Sequence, residues 1–305
     1  MDVKDGVIGF VVGDALGVPV EFESREYLSE NPVTGMMGFG TYGMPAGTFS
    51  DDSSMMLATM NSIANNGGEI DYDDIMVEFV KWWKFGKYTQ YGDAFDIGIT
   101  TSSALNKFRN GAKALDSGLC GERDNGNGSL MRILPLAFIE DIDYETIENV
   151  SAVTHAHERS KIACVFYVEL AKSILSSENP IEEHVKIASD KIKENYRCSS
   201  ELEYFDRILE GGIFDDPIDS IKSTGYVLST LEAVIYVLGN TNSYKEAVLM
   251  AVNLGNDTDT VGAITGGIAG LYYGYEEIPG EWLVQIKDLN EVLRLCDYYK
   301  NVITL

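Results

Sequence analysis

Apolar residues recur three and four positions apart through most of the chain, the period of a helix that buries one face. Over 72–85 (YDDIMVEFVKWWKF) this spacing brings Ile75, Phe79, Trp82 and Trp83 together, and over 159–176 the apolar set is Ile162, Cys164, Phe166, Leu170 and Ile174. The same pattern predicts helices over 52–64, 100–109, 129–140, 181–195, 225–238, 243–254, 259–273 and 288–300. Strand-like alternation is nearly absent. The predicted fold class is therefore all-α. No linker rich in Pro, Ser or charge divides the chain and no internal repeat is visible, so residues 1–305 read as one domain.

Two of the helical segments are unusual in their glycines. The first carries Gly6, Gly9, Gly13 and Gly17; the other carries Gly262, Gly266, Gly270 and Gly274. Glycine inside a helix is worth about 1 kcal/mol less than alanine, so a stripe of them implies close approach of a backbone or a ligand. Packing of the two helices against each other and direct ligand contact both fit. Residues 31–50 (NPVTGMMGFGTYGMPAGTFS) carry five glycines and no periodicity. A loop of this length predicts a flap over a site.

Composition narrows the function. The 305 residues are 45% hydrophobic, enough for a packed core, and 48 Asp plus Glu outnumber 23 Lys plus Arg for a net charge of −25. Such acidity excludes unassisted binding of nucleic acid or an anionic membrane, which need a cationic face. Any phosphate ligand must draw its positive field from metal ions or backbone N–H groups. The start, MDVKDGVIGF, has no basic leader pattern and no stretch is apolar enough to span a membrane, which with four scattered cysteines predicts a reduced, cytoplasmic protein. GFGTYG (38–43) matches a dinucleotide fingerprint in letters, but no strand precedes it and Pro45 with Gly47 prevents a helix from opening after it. Asp257-Thr258-Asp259 resembles the start of a calcium loop, yet Ile268 stands where the bidentate Glu belongs.

Three acidic segments remain: Gly13-Asp14 to Glu21, Gly47 to Asp52, and Gly255 to Thr260. Helix capping accounts for one oxygen at a helix start. It does not account for Ser50-Asp51-Asp52 together with Asp257-Thr258-Asp259-Thr260. Clustered carboxylates with neighbouring hydroxyls form a hard oxygen set suited to Mg²⁺ or Mn²⁺, and two such sets fit a carboxylate-bridged metal pair. Caps and metal binding both stay open on spacing alone. Residues 124–132 (DNGNGSLMR) form a Gly/Asn turn whose N–H groups suit a phosphate, or a plain left-handed turn. Of Thr154-His155-Ala156-His157, one histidine suits a ligand hydrogen bond, whereas His184, beside Glu182, Glu183 and Lys186, predicts a surface position.

Six segments together carry a resemblance: GDALGVPVEF (13–22), FSDDSSMML (49–57), FDIGITTSSAL (95–105), GNGSLMRILPLA (126–137), THAH (154–157) and GNDTDTVGAITGGIAGLYYG (255–274). In this order they resemble the ADP-ribosylglycohydrolase family. The resemblance implies an all-α fold with a central cleft and two divalent metal ions, Mg²⁺ or Mn²⁺. Matched by motif, Ser50, Asp51 and Asp52 would supply ligands from one side, and Asp257, Asp259 and Thr260 from the other. Glu21, with Asp52 beside it, would carry proton transfer. Gly126, Asn127, Gly128 and Ser129 would hold pyrophosphate and ribose, with His155 assisting and Asp124 near the scissile group. One departure stands out: the family's first metal motif usually begins with Thr, and Ser50 takes that place while keeping the hydroxyl.

The implied reaction is release of ADP-ribose from an ADP-ribosylated protein or small conjugate. FDIGITT and GNGSLMR look closer to the bacterial arginine-directed branch, which favours an N-glycosidic bond to arginine over serine- or acetyl-linked ADP-ribose. Two other readings share these residues: a metal-dependent nucleotide pyrophosphohydrolase, and a binding protein that has lost hydrolysis. The products separate the enzymes, since one yields intact ADP-ribose and the other AMP with ribose 5-phosphate.

Overall fold

The computed structural model describes residues 2–303. Eleven longer helices among them carry the architecture: α1 (Val3–Gly17), α2 (Asp51–Asn65), α3 (Tyr72–Phe85), α4 (Ile99–Arg109), α5 (Tyr144–Ala152), α6 (Glu158–Ser176), α7 (Ile181–Asn195), α8 (Val227–Gly239), α9 (Tyr244–Asn253), α10 (Thr258–Tyr273) and α11 (Leu289–Ile303). Extended pairing among the described residues is limited to isolated bridges, Phe39–Met44, Leu119–His155 and Gly126–Tyr226. The fold is all-α, as the periodicity predicts.

Helices α1 and α10 lie at the centre. All of α1 except Lys4 is buried, and so is α10 from Thr258 to Leu271. Neither has a polar face to give to solvent, which is the pattern of a helix surrounded by others. The two pack antiparallel, glycine against backbone. A Cβ on Gly13 would lie 2.1 Å from the Gly262 carbonyl oxygen, and one on Gly9 2.3 Å from that of Gly266. At the far end a Cβ on Gly17 would meet the Thr258 oxygen at 2.3 Å. The stripes thus serve helix packing; Gly274 stands beyond the contact, at φ +92°, where α10 ends.

Hydroxyls from the surrounding layer fasten this pair. Tyr244 of α9 donates to the Gly9 carbonyl (2.7 Å), and Tyr167 of α6 donates to that of Ile264 (3.1 Å). The start of α2 is held against the end of α1 by one carboxylate. Asp14 accepts from the Ser50 N–H (2.9 Å), the Ser53 N–H (2.9 Å) and the Ser53 hydroxyl (2.6 Å). Ends of three helices therefore meet at one place.

Two expectations are corrected. Residues 129–140 are not an α-helix but two 3₁₀ segments, Asn127–Arg132 and Leu134–Phe138. Pro135 has no N–H to donate and its ring rejects the preceding helical turn, and buried Arg132 instead donates to the Val150 carbonyl and the Thr154 hydroxyl. His184 is fully buried rather than on the surface. Its charged neighbours flank it on α7, but the helical turn points the ring inward, where Nδ1 pairs with the Ser173 hydroxyl at 2.8 Å. The 31–50 loop is also not free of structure. Beside the Phe39–Met44 bridge, its Thr41 hydroxyl donates to the Glu21 carbonyl at 2.7 Å.

The glycine contact yields a test by urea unfolding. Gly13→Ala should lower stability by about 3 kcal/mol or more, because its methyl would overlap rigid backbone. Gly212→Ala is the control: no atom lies within 4 Å of its added Cβ, and its effect should stay within about 0.5 kcal/mol.

Candidate metal centre

The junction of α1, α2 and α10 opens into a cleft of about 490 Å³. Glu21 reaches it from the turn after α1, Asp51 and Asp52 from the first turn of α2, and Asp257 and Thr260 from the start of α10. Oxygens of Glu21, Asp257 and Asp259 lie within 4.8 Å of one another, and so do oxygens of Asp51, Asp52 and Asp259. Asp259 belongs to both groups. The three sequence segments singled out for their carboxylates are brought together, and the two clusters they form share a member.

Capping alone leaves this arrangement unexplained. The Ser50 hydroxyl does cap α2, accepting from the Asp52 N–H at 3.3 Å. Asp52 Oδ2 then accepts from the hydroxyls of Ser50 (3.1 Å) and Thr260 (3.3 Å), and Asp257 accepts from the Asn127 amide at 2.7 Å. Asp52 Oδ1 and Asp259 Oδ2, however, are buried with no hydrogen-bond partner. An orphaned carboxylate oxygen in a dry site is costly unless a cation meets it. The clusters are able to coordinate a divalent cation, and the all-oxygen donor set suits a hard one.

The electrostatics agree. Burial, followed by the charges of neighbouring carboxylates, holds Asp51, Asp52 and Asp259 well above the usual carboxylate range. Glu21 is pushed up to about 9 by burial and then by Asp96. Burial raises Asp14 to about 6 even against its hydrogen bonds from Ser53 and Ser50. Among the described residues, no Lys or Arg lines the cleft. Its histidine is neutral: burial, and then the charge of Arg132, lower His155 to about 3.

The remaining predicted residues divide. Gly126, Asn127, Gly128 and His155 line the cleft. Gly128 has no side chain because the imidazole occupies that space; a Cβ there would be 2.8 Å from His155 Cε1. Thr154 Oγ1 accepts from Arg132 (2.6 Å) and lies 2.8 Å from His155 Nδ1. If its own hydrogen goes to Nδ1, Nε2 carries the imidazole proton, on the side of the ring that faces Gly126 and Gly128. Ser129 is buried beneath the turn, where its hydroxyl accepts from Ser151 at 2.8 Å. Asp124 lies beside the cleft; its carboxylate accepts from the Gly121 N–H (2.9 Å) and the Thr100 hydroxyl (3.5 Å).

Sequence reasoning passed over three participants. Asp14 fastens α2, as described. Tyr42, from the 31–50 loop, donates to Glu21 Oε2 at 2.6 Å and packs its ring 4.9 Å from Phe95. Asp96, next in the chain, lines the cleft in a left-handed conformation at φ +60°. Its charge is the largest carboxylate influence on Glu21 and Asp51. Its only sequence signal was an acidic residue inside FDIGITTSSAL, a segment without periodic structure before the helix.

A cleft of converging carboxylates on an all-α scaffold defines a class of protein able to carry a divalent cation. The chain belongs to the ADP-ribosylglycohydrolase family, whose pattern matches residues 2–304, and as a member it is a hydrolase acting on ADP-ribosylated substrates. It is 30% identical to the ADP-ribosylarginine hydrolase Tri1 of Serratia proteamaculans over 302 residues, covering 96% of this chain and 77% of that protein. It is 27% identical to the ADP-ribosyl-(dinitrogen reductase) glycohydrolase of Rhodospirillum rubrum, covering 95% of this chain and 92% of that one. A solved structure described as an ADP-ribosylglycohydrolase-related protein complex superposes with a TM-score of 0.83 at 28% identity, covering 99% of this chain and 98% of the other. No helix among the described residues is long and apolar enough to cross a membrane.

The raised carboxylates set a pH dependence for the metal-free chain. With Glu21 at about 9 against 4.5 in an unfolded chain, and Asp14 at about 6 against 3.8, the folded state binds more protons than the unfolded state between about pH 4 and pH 9. The stability these groups contribute is complete below that window and lost as pH rises through it. A divalent cation replaces those protons. The gain in Tm from Mg²⁺ or Mn²⁺ over EDTA should therefore widen from pH 5 to pH 9; a gain independent of pH would show that no raised carboxylate gives up its proton to the ion, and no gain at any pH would remove the metal reading.

Proposed function

We propose that the chain is a metal-dependent hydrolase that releases ADP-ribose by cutting the N-glycosidic bond to an arginine side chain. The observation that carries the arginine assignment is charge. Seven carboxylates gather at the site, with Asp14, Glu21, Asp51, Asp52 and Asp259 buried and Asp96 and Asp257 half-buried, and among the described residues no Lys or Arg lines the cleft. Two divalent cations offset four negative charges. The remainder favours a leaving group that is a cation, as guanidinium is, over a neutral hydroxyl or acetyl group. The similarity to the arginine-directed hydrolase from Serratia supports the same linkage.

Ser50, Asp51 and Asp52 would hold one Mg²⁺ or Mn²⁺ ion, and Asp257, Asp259 and Thr260 the other, with Asp259 able to serve both. When bound, such ions orient ribose hydroxyls and acidify a water. The protein's own groups do the rest. Glu21, held by the Tyr42 hydroxyl, lines the cleft and would exchange a proton with that water, with Asp52 in the same lining. Breaking the bond at the ribose anomeric carbon develops positive charge on the sugar, which the surrounding carboxylates stabilise. The Gly126–Gly128 turn, open to the cleft, and the neutral His155 would hold the remainder of the ADP-ribose through N–H donors.

The deciding assay follows free ADP-ribose released from an arginine-ADP-ribosylated protein with Mg²⁺, Mn²⁺ or EDTA. Release should need a divalent ion and fall by at least about a thousandfold in Asp259→Ala, which removes a carboxylate shared by both clusters. Turnover intact in that variant would end the binuclear reading. AMP and ribose 5-phosphate as products would establish the pyrophosphohydrolase, and release from serine-linked substrate alone would move the linkage.

A further inference from the structure

The residue after Glu21 breaks two rules at once. Phe22 is 69% exposed, and its backbone is left-handed at φ +67°. A bulky side chain in that region is strained by roughly 1–2 kcal/mol, which Gly or Asn would largely avoid. The conformation is enforced rather than slack. The Phe22 N–H donates to the Asn256 carbonyl at 2.6 Å, and the Asn256 N–H donates to that of Glu23 at 2.8 Å. Asn256 is itself left-handed at φ +62° and precedes Asp257. Two left-handed residues, of which Phe22 carries the strain, thus clasp each other between a carboxylate of α1's trailing turn and one at the start of α10. An aromatic ring kept in water there, at the expense of backbone comfort, serves something outside the folded chain.

Its surroundings say what. Phe22 lines the cleft together with Glu21, Asp51, Asp52, Asp96 and Asp257. Ile99, 85% exposed at the first position of α4, lines the same space. An apolar ring in a field of carboxylates, with no cationic side chain beside it, is complementary to a planar, weakly hydrated cation, which can lay a face on the ring and direct its N–H groups at the acids. A neutral hydroxyl or an acetyl ester uses neither feature.

We propose that Phe22 forms the leaving-group subsite of the cleft, taking the guanidinium plane of the ADP-ribosylated arginine on its ring while Ile99 contacts the methylene stem. This rests on the arginine linkage proposed above but concerns a different part of the substrate from the ADP-ribose, so the two are separable. Phe22 supplies no oxygen to either carboxylate cluster, and its role is binding and selection.

The test uses the full chain loaded with Mg²⁺ and ADP-ribose, and methylguanidinium as probe, followed by saturation-transfer NMR with methylammonium for comparison. Methylguanidinium should bind in preference to methylammonium. F22L, which keeps an apolar group on the same backbone but loses the π face, should weaken that binding about tenfold with ADP-ribose affinity unchanged, and F22W should recover most of the loss. On arginine-ADP-ribosylated peptide the F22L defect should appear in KM more than in kcat. Equal binding of the probe by F22L and the unmodified chain, or equal loss of ADP-ribose affinity, overturns the subsite. If the unmodified chain binds methylguanidinium through Phe22 yet leaves arginine-linked ADP-ribose intact, the linkage falls and the subsite stands. If it cleaves that linkage with the same KM in F22L, the linkage stands and the subsite falls.

Discussion

Contact between the backbones of α1 and α10 is the constraint from which the rest follows. Helices with side chains between them sit roughly 8–10 Å apart, whereas here the Gly13 and Gly262 positions leave no room even for a methyl group. Close packing of two antiparallel helices puts the end of one against the start of the other, and both carry carboxylates at those ends. Glu21 follows α1 and Asp257 and Asp259 begin α10; Asp14, one turn from the end of α1, brings the Ser50–Asp52 segment to the same point. A wider spacing of the central pair would separate the two acidic groups that share Asp259.

The site is unfavourable by itself. Carboxylates shielded from water and facing one another oppose their own ionisation, and two of their oxygens have no donor. Such a cluster survives because the helices beneath it are apolar on every side and firmly packed, so the core supplies the stability that the cleft forgoes. The same division explains why the fastening residues, Tyr244, Tyr167 and Asp14, act on backbone groups of the scaffold while the residues of the cleft are left with capacity unused.

Much of this was legible in the chain. Nine of the eleven long helices follow from apolar spacing, since a repeat of about 3.6 residues admits few other structures; the first was marked by its glycines, and Tyr144–Ala152 was passed over. The acidic segments were recognisable because more carboxylates stood at helix starts than caps require. Other features were hidden for physical reasons. Apolar spacing over 129–140 resembled a helix, but Pro135 and the inward demands of Arg132 made shorter 3₁₀ turns. Charged neighbours disguised His184, whose direction is set by helical phase and not by the residues adjacent in sequence. Asp96 and Tyr42 sit on irregular segments where no period operates, and they matter only through partners more than twenty residues away or across the cleft. Asp14 was written inside a quoted motif, yet its role depends on Ser50 and Ser53, which only folding brings to it.

Asn127 has one further implication. Its side-chain amide donates to Asp257 at 2.7 Å and to Thr230 at 2.9 Å, while its N–H donates to the Gly225 carbonyl at 3.0 Å. The glycine turn and the carboxylate at the start of α10 are consequently one mechanical piece. Any influence of an ion at Asp257 on what the turn holds would pass through this one amide, and thermodynamic linkage would make it reciprocal: the factor by which the ion changed the affinity for the ligand would equal the factor by which the ligand changed the affinity for the ion.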